Sequence, residues 1–198
     1  MSAVLNCNIS FIGGGNMAQA LIGGLIARGL PPTRITVSDP VEQVRELLKE
    51  KDVHVTEDNL AAIADADIVV FAVKPQVLAQ VLRPLHGQFD DKLVISIVAG
   101  AEIATISELL GTERVVRVMP NTPALVQTGA HGLYATEQVN STDRELASQV
   151  LAATGLTIWV NSEAQIDAVT AVSGSGPAYF FFLLESMIRA GKNLVLDE

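Results

Sequence analysis

A single cysteine, Cys7, is present among the 198 residues of the chain. One cysteine forms no intrachain disulfide and no cysteine-based metal cluster, so we expect neither. The first residues, MSAVLNCNISF, carry no basic region and no long apolar run, and we expect no secretory signal there. No stretch of the sequence reaches about 18 uncharged apolar residues, which argues against an ordinary membrane span.

Charged residues are also scarce, at 18% of the chain, whereas hydrophobic residues make up 49%. This balance favours a folded domain with a sizeable core over a disordered chain. The net charge is -9 and the pI is near 4.7, which argues against the basic surface that nucleic acids and anionic membranes require. We therefore predict a cytoplasmic globular protein with no nucleic-acid partner and no membrane partner.

Short apolar runs alternate with helical patterns along most of the chain. The runs are rich in Val and Ile and lack polar alternation, as in strands buried on both faces of a parallel sheet. Strands are predicted at 7–12, 34–39, 67–73, 92–98, 114–119, 129–135 and 155–160. Helices are predicted near 16–28, 41–50, 58–64, 76–83, 102–110 and 142–153. This order predicts an open, doubly wound α/β sheet.

From residue 163 onward the pattern is helical, apart from one pentad, Ser173–Pro177 (SGSGP). We therefore place a domain boundary near residue 162, which gives domains 1–162 and 163–198. The segment 178–190, which follows the pentad, is apolar nearly all round. A helix that is apolar on every side must be buried on every side, so we expect a partner subunit to cover it, or else poor solubility and local disorder.

The pentad itself predicts the start of a new helix. Pro177 suits a first helical position, and Ser175 or Gly176 suits the cap. The exposed N–H groups of such a start would bind a carboxylate well. The alternative is a corner between two helices that holds no ligand, and the residues alone do not decide between the two.

A glycine-rich turn, Gly13-x-Gly15-x-x-Ala18, lies directly after the first predicted strand and opens the first helix. Gly13 permits a tight turn, Gly15 lets the backbone approach a pyrophosphate, and Ala18 is small enough for close packing of helix on strand. The helix N-terminus then offers N–H donors to the phosphates. The pattern predicts a dinucleotide site, with a purely structural turn as the alternative.

Asp39 ends the second predicted strand, in the sequence VSDP. An acidic residue there usually accepts hydrogen bonds from the ribose diol of NAD and repels the phosphate of NADP. Alternatively, Asp39 forms a turn before Pro40. Ser38 could instead donate to a 2′-phosphate, with Arg34 near in sequence. The residues leave NADH and NADPH open.

Three further segments end at the carboxyl edge of the predicted sheet, where ligands bind in α/β proteins. Lys74 follows the strand at 67–73, Ala99 and Gly100 follow 92–98, and a stiff polar loop, 120–123, follows 114–119. We expect Lys74 to be solvated rather than a catalytic amine. Together the three segments predict one pocket above a bound cofactor.

The motifs FIGGGNMAQAL, AVKPQ, VSIVAG, RVMPNTPALV and DAVTAVSGSGPAYFF resemble the pyrroline-5-carboxylate reductase family, in order along the whole chain. The resemblance implies reduction of 1-pyrroline-5-carboxylate to L-proline by NADPH or NADH, the final step of proline biosynthesis. It also implies a Rossmann-type, mostly parallel sheet, followed by the start of an all-α dimerisation domain, and hence a homo-oligomer.

The resemblance also implies the roles of individual residues. Those near the pyrophosphate, the adenosine and the nicotinamide would be Gly13, Gly15, Asn16, Met17, Ser38, Asp39, Asn59, Ala72, Val73, Lys74, Ala99, Gly100 and Asn121. Those near the substrate carboxylate would be Val172, Ser173, Gly174, Ser175, Gly176 and Pro177. No metal ligand and no catalytic acid or base is assigned, because the cofactor carries the hydride chemistry.

The remaining titratable residues are expected to have no catalytic role. His54, His86 and His131 are expected in loop or surface contexts, as structural or solvent-facing groups. Glu163, Asp167 and Glu185 are expected on solvated helix faces.

The chain departs from the family pattern at two points. Members that favour NADPH often have Ser where Asp39 stands, which makes use of NADH more plausible. Family chains also continue past residue 198, through a Ser-Pro-Gly-Gly-Thr-Thr-like substrate loop, so an inactive dinucleotide-binding fragment is one alternative. A β-hydroxyacid dehydrogenase is another, although the helix that begins at Pro177 lacks the lysine that such enzymes need.

Overall fold

The computed structural model describes residues 5–194, which excludes the last four residues of the predicted second domain. The described strands form one sheet in the order β3-β2-β1-β4-β5-β6-β7-β8. The strands are β1 (Ile9–Ile12), β2 (Ile35–Ser38), β3 (His54–Thr56), β4 (Ile68–Phe71), β5 (Leu93–Ser96), β6 (Val115–Met119), β7 (Gly129–Ala135) and β8 (Gly155–Trp159). Neighbours are parallel except β6 and β7, so the predicted doubly wound, mostly parallel sheet is confirmed.

Helices cover both faces of the sheet. They are α1 (Asn16–Ala27), α2 (Glu42–Lys49), α3 (Asn59–Ile63), α4 (Leu78–Leu82), α5 (Ile103–Leu110), α6 (Ser141–Ala152), α7 (Glu163–Val169) and α8 (Gly176–Asn193). One core cluster lies around Phe11 and Leu21, and a second lies on the other face around Phe71 and Ile106. Because both faces are packed, the strands contain almost unbroken apolar sequence.

The seven predicted strands are all present, but β3 was not predicted. It has three residues, His54 is exposed, and it pairs with β2 at the sheet edge. A short, half-exposed strand carries too little apolar sequence to be recognised. The helix predicted at 76–83 is also shorter than expected, because α4 is flanked by 3₁₀ turns at Pro75–Val77 and Arg83–Leu85.

Helix α8 begins within the pentad as predicted, with Ser175 at the N-cap and Pro177 in the first turn, but a helical turn rather than an open break precedes it. A π-helical turn, Thr170–Gly174, joins α7 to α8. Ser175 has helical dihedral angles, its N–H donates to the carbonyl oxygen of Thr170 at 2.9 Å, and its own carbonyl accepts from Ala178 N–H at 3.0 Å. A wide turn upstream of Pro177 relieves the clash between the proline ring and the preceding carbonyl groups. The backbone therefore keeps a helical path from α7 through the pentad into α8.

The glycines of the pentad have a packing role as well. A Cβ atom on Gly174 would lie 2.6 Å from Met119 Cε, at the end of β6. One on Gly132, in β7, would lie 3.0 Å from the side chain of Val169. The missing side chains thus let α7 and the π turn lie close on β6 and β7. The domain boundary at residue 162 stays a prediction.

Within residues 5–194, no helix combines the length and apolar character that a membrane crossing requires. The cytoplasmic location expected from composition stays a prediction.

Candidate functional site

The glycine-rich turn connects β1 to α1 at the carboxyl edge of the sheet. Gly13 has φ +99°, and a Cβ atom there would lie 2.7 Å from Ala72 O, so the tight turn needs glycine at this position. A Cβ atom on Gly15 would meet nothing within 4 Å, so the backbone is open to a ligand there. Helix α1 begins at Asn16, and no side chain of the described residues caps its start. The turn therefore presents an open, positively polarised helix end that suits a pyrophosphate.

Asp39 holds this turn through its carboxylate. Oδ2 accepts from Gly14 N–H at 2.8 Å, and Oδ1 accepts from Val41 N–H at 2.9 Å. The residue is 9% exposed. The bond to Val41 corresponds to the turn before Pro40 that was the alternative prediction for Asp39. The bond to Gly14 is an additional contact. The ribose role of Asp39 stays a prediction.

Ser38 and Asn59 lie beside Asp39 and bond to each other. Ser38 is 1% exposed, and its hydroxyl donates to Asn59 Oδ1 at 2.6 Å, so its proton is already engaged. Arg34 precedes β2 and lies at the opposite end of a strand that spans about 13 Å, away from Ser38. The cation that does lie here is Arg45, whose Nη1 donates to Asp39 O at 2.7 Å.

The segments after β4 and β5 reach the same edge. A Cβ atom on Gly13 would lie 3.2 Å from Val73 Cγ1, so the glycine turn adjoins the end of β4. Lys74 is exposed, as expected of a solvated side chain. Gly100 has φ +72° and open space around it, and Ala99 is exposed. The small, open residues after β5, beside the end of β4, suit the approach of a flat ring.

Asn121 brings the pentad to this edge. It follows β6, its Nδ2 donates to Ser173 Oγ at 3.2 Å, and its Oδ1 accepts from Ala130 N–H at 2.9 Å. Both ends of the amide are therefore fixed. Among the expected substrate residues, Val172 is 76% exposed and makes the least contact with the edge. The half-buried members are Ser173, Gly174, Ser175, Gly176 and Pro177.

Sequence reasoning missed Arg117, the third residue of β6. It is 2% exposed, and its guanidinium pairs with Glu163 at 3.0 Å and Asp167 at 2.8 Å. The expected solvated position is wrong for Glu163, whose side chain is 28% exposed, whereas Glu185 is exposed as expected. An arginine inside an otherwise apolar strand, VVRVM, is the signal that could have revealed a buried ion pair.

His131 is buried, contrary to its expected loop or surface context. It lies in β7 at 1% exposure, and its Nε2 lies 3.0 Å from Thr154 Oγ1. Burial lowers its pKa from the ordinary value of 6.5 to about 4, so the imidazole is neutral at physiological pH. The buried ring has a structural role in β7, where the preceding residue, Ala130, bonds to Asn121.

Comparisons with known proteins agree with this geometry. A family model described as NADP oxidoreductase, coenzyme F420-dependent, matches residues 8–100, and one described as pyrroline-5-carboxylate reductase dimerisation matches residues 163–198. The pyrroline-5-carboxylate reductase of Pseudomonas aeruginosa is 51% identical, over 96% of this chain and 70% of that protein. The chain belongs to the pyrroline-5-carboxylate reductase family. A second relative of the same name, from Haemophilus influenzae, is 47% identical over 96% of this chain and 71% of its own length.

Solved structures of the family have the same fold. A pyrroline-5-carboxylate reductase from Coxiella burnetii superimposes with a TM-score of 0.89 at 43% identity, over 98% of this chain and 73% of that one. The Plasmodium falciparum pyrroline carboxylate reductase with NADP bound gives a TM-score of 0.88 at 32% identity, over 98% of this chain and 72% of that one. The family and the Rossmann-type fold expected from the sequence motifs are thus confirmed.

The buried histidine leads to a prediction on pH dependence. Between about pH 6.5 and pH 4, an unfolded His131 takes up a proton that the folded protein excludes, so acidification costs at most about 3 kcal/mol of stability through this group. Chemical denaturation of the wild type and of His131→Gln should show a weaker pH dependence of the unfolding free energy in the variant. His54→Gln, at an exposed site, should keep the wild-type dependence. Equal slopes for the wild type and His131→Gln would contradict the prediction.

Proposed function

We propose that this protein reduces 1-pyrroline-5-carboxylate to L-proline, with NADPH or NADH as the hydride donor. Family membership supports this reaction class. The observation that carries it furthest is the hydrogen bond from Asn121 to Ser173, because it joins the cofactor edge of the sheet to the family-specific pentad.

The glycine turn fits the cofactor in this proposal. Backbone N–H groups at the start of α1, from Asn16 and Met17, would hold the pyrophosphate, and Gly13 and Gly15 would let it approach. Ser38, Asp39 and Asn59 would lie near the adenosine. Loop residues after β4 and β5 would border the nicotinamide, namely Ala72, Val73, Lys74, Ala99 and Gly100. When bound, NAD(P)H supplies the hydride that the reaction needs.

Substrate binding falls to the pentad and Asn121. The N–H of Ser175 already donates to Thr170 O, so this N–H is engaged and does not bind the substrate carboxylate. We assign this role to the hydroxyls of Ser173 and Ser175. Ser173 Oγ accepts from Asn121 and keeps its own proton for donation. Val172, Gly174, Gly176 and Pro177 would border the same site.

The chemistry requires orientation more than acid–base catalysis. The C=N bond of the substrate accepts a hydride at C5, and its nitrogen carries the proton that completes the amine. A protonated imine therefore needs no proton donor from the protein at the hydride step. The chain would hold the substrate ring against the nicotinamide ring in a fixed orientation and limit the access of water to the pocket. These are the usual contributions of the protein in cofactor enzymes.

Oligomerisation is part of the proposal. Apolar side chains all round α8 are more than half exposed, and they lie inside the stretch that matches the dimerisation family model: Tyr179, Phe180, Phe181, Phe182, Leu183, Leu184, Met187 and Ile188. An exposed apolar surface of this kind marks an interaction site. We propose that the helices from residue 163 onward form a homodimer or larger homo-oligomer.

A steady-state assay tests the function. The protein should oxidise NADPH or NADH when it is given pyrroline-5-carboxylate, and the loss of reduced-cofactor absorbance measures the reaction. Cofactor binding without turnover would instead favour the alternative of a dinucleotide-binding fragment. Oxidation of a β-hydroxyacid with NAD⁺ would favour the hydroxyacid dehydrogenase alternative, for which the solved 3-hydroxyisobutyrate dehydrogenase of Mycobacterium tuberculosis, 16% identical with a TM-score of 0.73, shares the fold alone.

Replacing Asp39 should change the choice of cofactor. Asp39→Ser removes a negative charge where the adenosine ribose is expected, so NADPH should gain relative to NADH. Both affinities should also fall, because Gly14 N–H loses its carboxylate acceptor. Dissociation constants from cofactor fluorescence measure both effects. Glu57→Gln, which removes a neighbouring charge that does not hold the turn, is the control. An unchanged ratio in Asp39→Ser would exclude Asp39 from cofactor choice.

Replacing Ser175 should affect the substrate more than the cofactor. Ser175→Ala removes a hydroxyl assigned to the substrate carboxylate, and a hydrogen bond to a charged group contributes about 1.5–3 kcal/mol, so the substrate KM should rise roughly tenfold or more. The cofactor KM should change little. Ser186→Ala is the control, since Ser186 lies on the same helix and its hydroxyl bonds to Phe182 O. A larger change in the cofactor KM would count against the assignment.

A further inference from the structure

Arg117 is a charged residue in the middle of a buried strand. Its neighbours in β6, Val116 and Val118, are fully packed, and Arg117 itself is 2% exposed. Burying a guanidinium is unfavourable unless it is paired and hydrogen-bonded. Arg117 pairs in register with Ser96 of β5 and Tyr134 of β7, and its charge needs acidic partners from another element.

Both partners come from α7. Nη1 of Arg117 donates to Glu163 Oε1 at 3.0 Å, and Nη2 donates to Asp167 Oδ1 at 2.8 Å. The two acids are four residues apart and therefore lie on one face of the helix. The planar fork of arginine reaches both at once, which a lysine ammonium does less well. The pairing fixes the rotation of α7 about its axis as well as its distance from the sheet.

Glu163 makes a third connection. Its Oε1 also accepts from Ile103 N–H at 2.8 Å, at the first residue of α5. Helix α5 follows the loop that contains Ala99 and Gly100, which we placed beside the nicotinamide. One carboxylate oxygen therefore joins β6, α7 and the start of α5.

The same α7 leads directly into the π turn and the pentad. The π turn is fixed to the sheet at a second point, where Asn121 bonds to Ser173 and Gly174 packs on Met119. Arg117 lies in the middle of β6 and Asn121 lies two residues after its end, so the two fixed points share a rigid support. Moving the first point would tilt the segment that carries the substrate groups.

We propose that Arg117 is a positioning residue, which sets the pentad at the correct distance and angle from the nicotinamide edge. This inference rests on the proposed function. Arg117 touches neither substrate nor cofactor; it acts through Glu163 and α7. Loss of the guanidinium would leave two carboxylates without their cation and allow α7 to shift. A displacement of about 1 Å at a reacting centre lowers a rate by about a hundredfold.

A matched pair of variants tests the proposal. Arg114, just before the same strand, makes two bonds to Asp143 at 2.9 and 3.1 Å, but it holds α6 rather than α7. Arg117→Met and Arg114→Met should both lower the melting temperature. Only Arg117→Met should lower kcat/KM for pyrroline-5-carboxylate, by tenfold to a hundredfold, with the dissociation constant of the cofactor nearly unchanged. Arg117→Lys should restore part of the loss.

A milder variant tests the proposal even if Arg117→Met does not fold. Asp167 is 70% exposed, so Asp167→Asn removes one of the two ion pairs at a small folding cost and should raise the substrate KM a few-fold. Equal kinetic losses in the Arg117 and Arg114 variants, an equal loss of cofactor affinity, or wild-type kinetics in Arg117→Met would each overturn the proposal.

A second measurement separates this proposal from the proposed function. In the absence of substrate, amide hydrogen exchange in residues 170–176 should be faster in Arg117→Met than in the wild type or Arg114→Met. A wild type that fails to reduce pyrroline-5-carboxylate would contradict the proposed function, whereas unchanged exchange would contradict the positioning by Arg117.

Discussion

The burial of parallel strands on both faces is the constraint on which the rest of the molecule depends. Strands β1, β4 and β5 are buried at every position, so their interiors offer nothing that a ligand could reach. Polar and conformationally unusual residues are therefore confined to strand ends, and the parallel direction brings those ends to one edge. The glycine turn and Asn121 lie there for that reason. Ser10, Arg117 and His131 are buried polar exceptions inside strands, and Arg117 is paired with two acids of α7.

The glycine turn shows how backbone donors are divided between the fold and a ligand. Gly13 N–H donates to Ser38 O, and Gly14 N–H donates to the Asp39 carboxylate. These two bonds fix the turn from the side of β2, which leaves the first N–H groups of α1 for a phosphate. Asp39 consequently combines a structural role with its expected role near the ribose. Any change of this residue alters the shape and the charge of the site together.

Patterns local in sequence predicted most of the fold and the glycine turn that connects β1 to α1. Apolar runs identify the buried strands because a strand buried on both faces consists almost entirely of apolar residues. The Gly13–Ala18 spacing identifies the turn because each position has room only for a small residue or must let the backbone approach a ligand. Strand β3 was missed because three half-exposed residues carry neither signal. The substrate-binding residues were predicted from the family resemblance. The residue pattern of the pentad was equally compatible with a ligand site and with a corner between two helices.

The remaining errors have one physical origin, which is contact between residues distant in sequence. The pentad contains helix-breaking residues, yet packing of Gly174 on Met119 stabilises a π turn in place of a break. His131 and Glu163 are polar residues that local patterns place in water. His131 is buried against Thr154 and Glu163 is partly buried against Arg117, so each gains a hydrogen bond from another element.

The helical path from α7 to α8 connects substrate binding to assembly. Because the π turn continues the helix, the segment that carries Ser173 and Ser175 is covalently and helically continuous with the exposed apolar side chains of α8. A partner subunit that covers α8 would restrain this path from one end, while Arg117 and Asn121 restrain it from the other. In that arrangement, the orientation of the substrate groups depends on both supports. Assembly would then contribute to the active geometry as well as to stability.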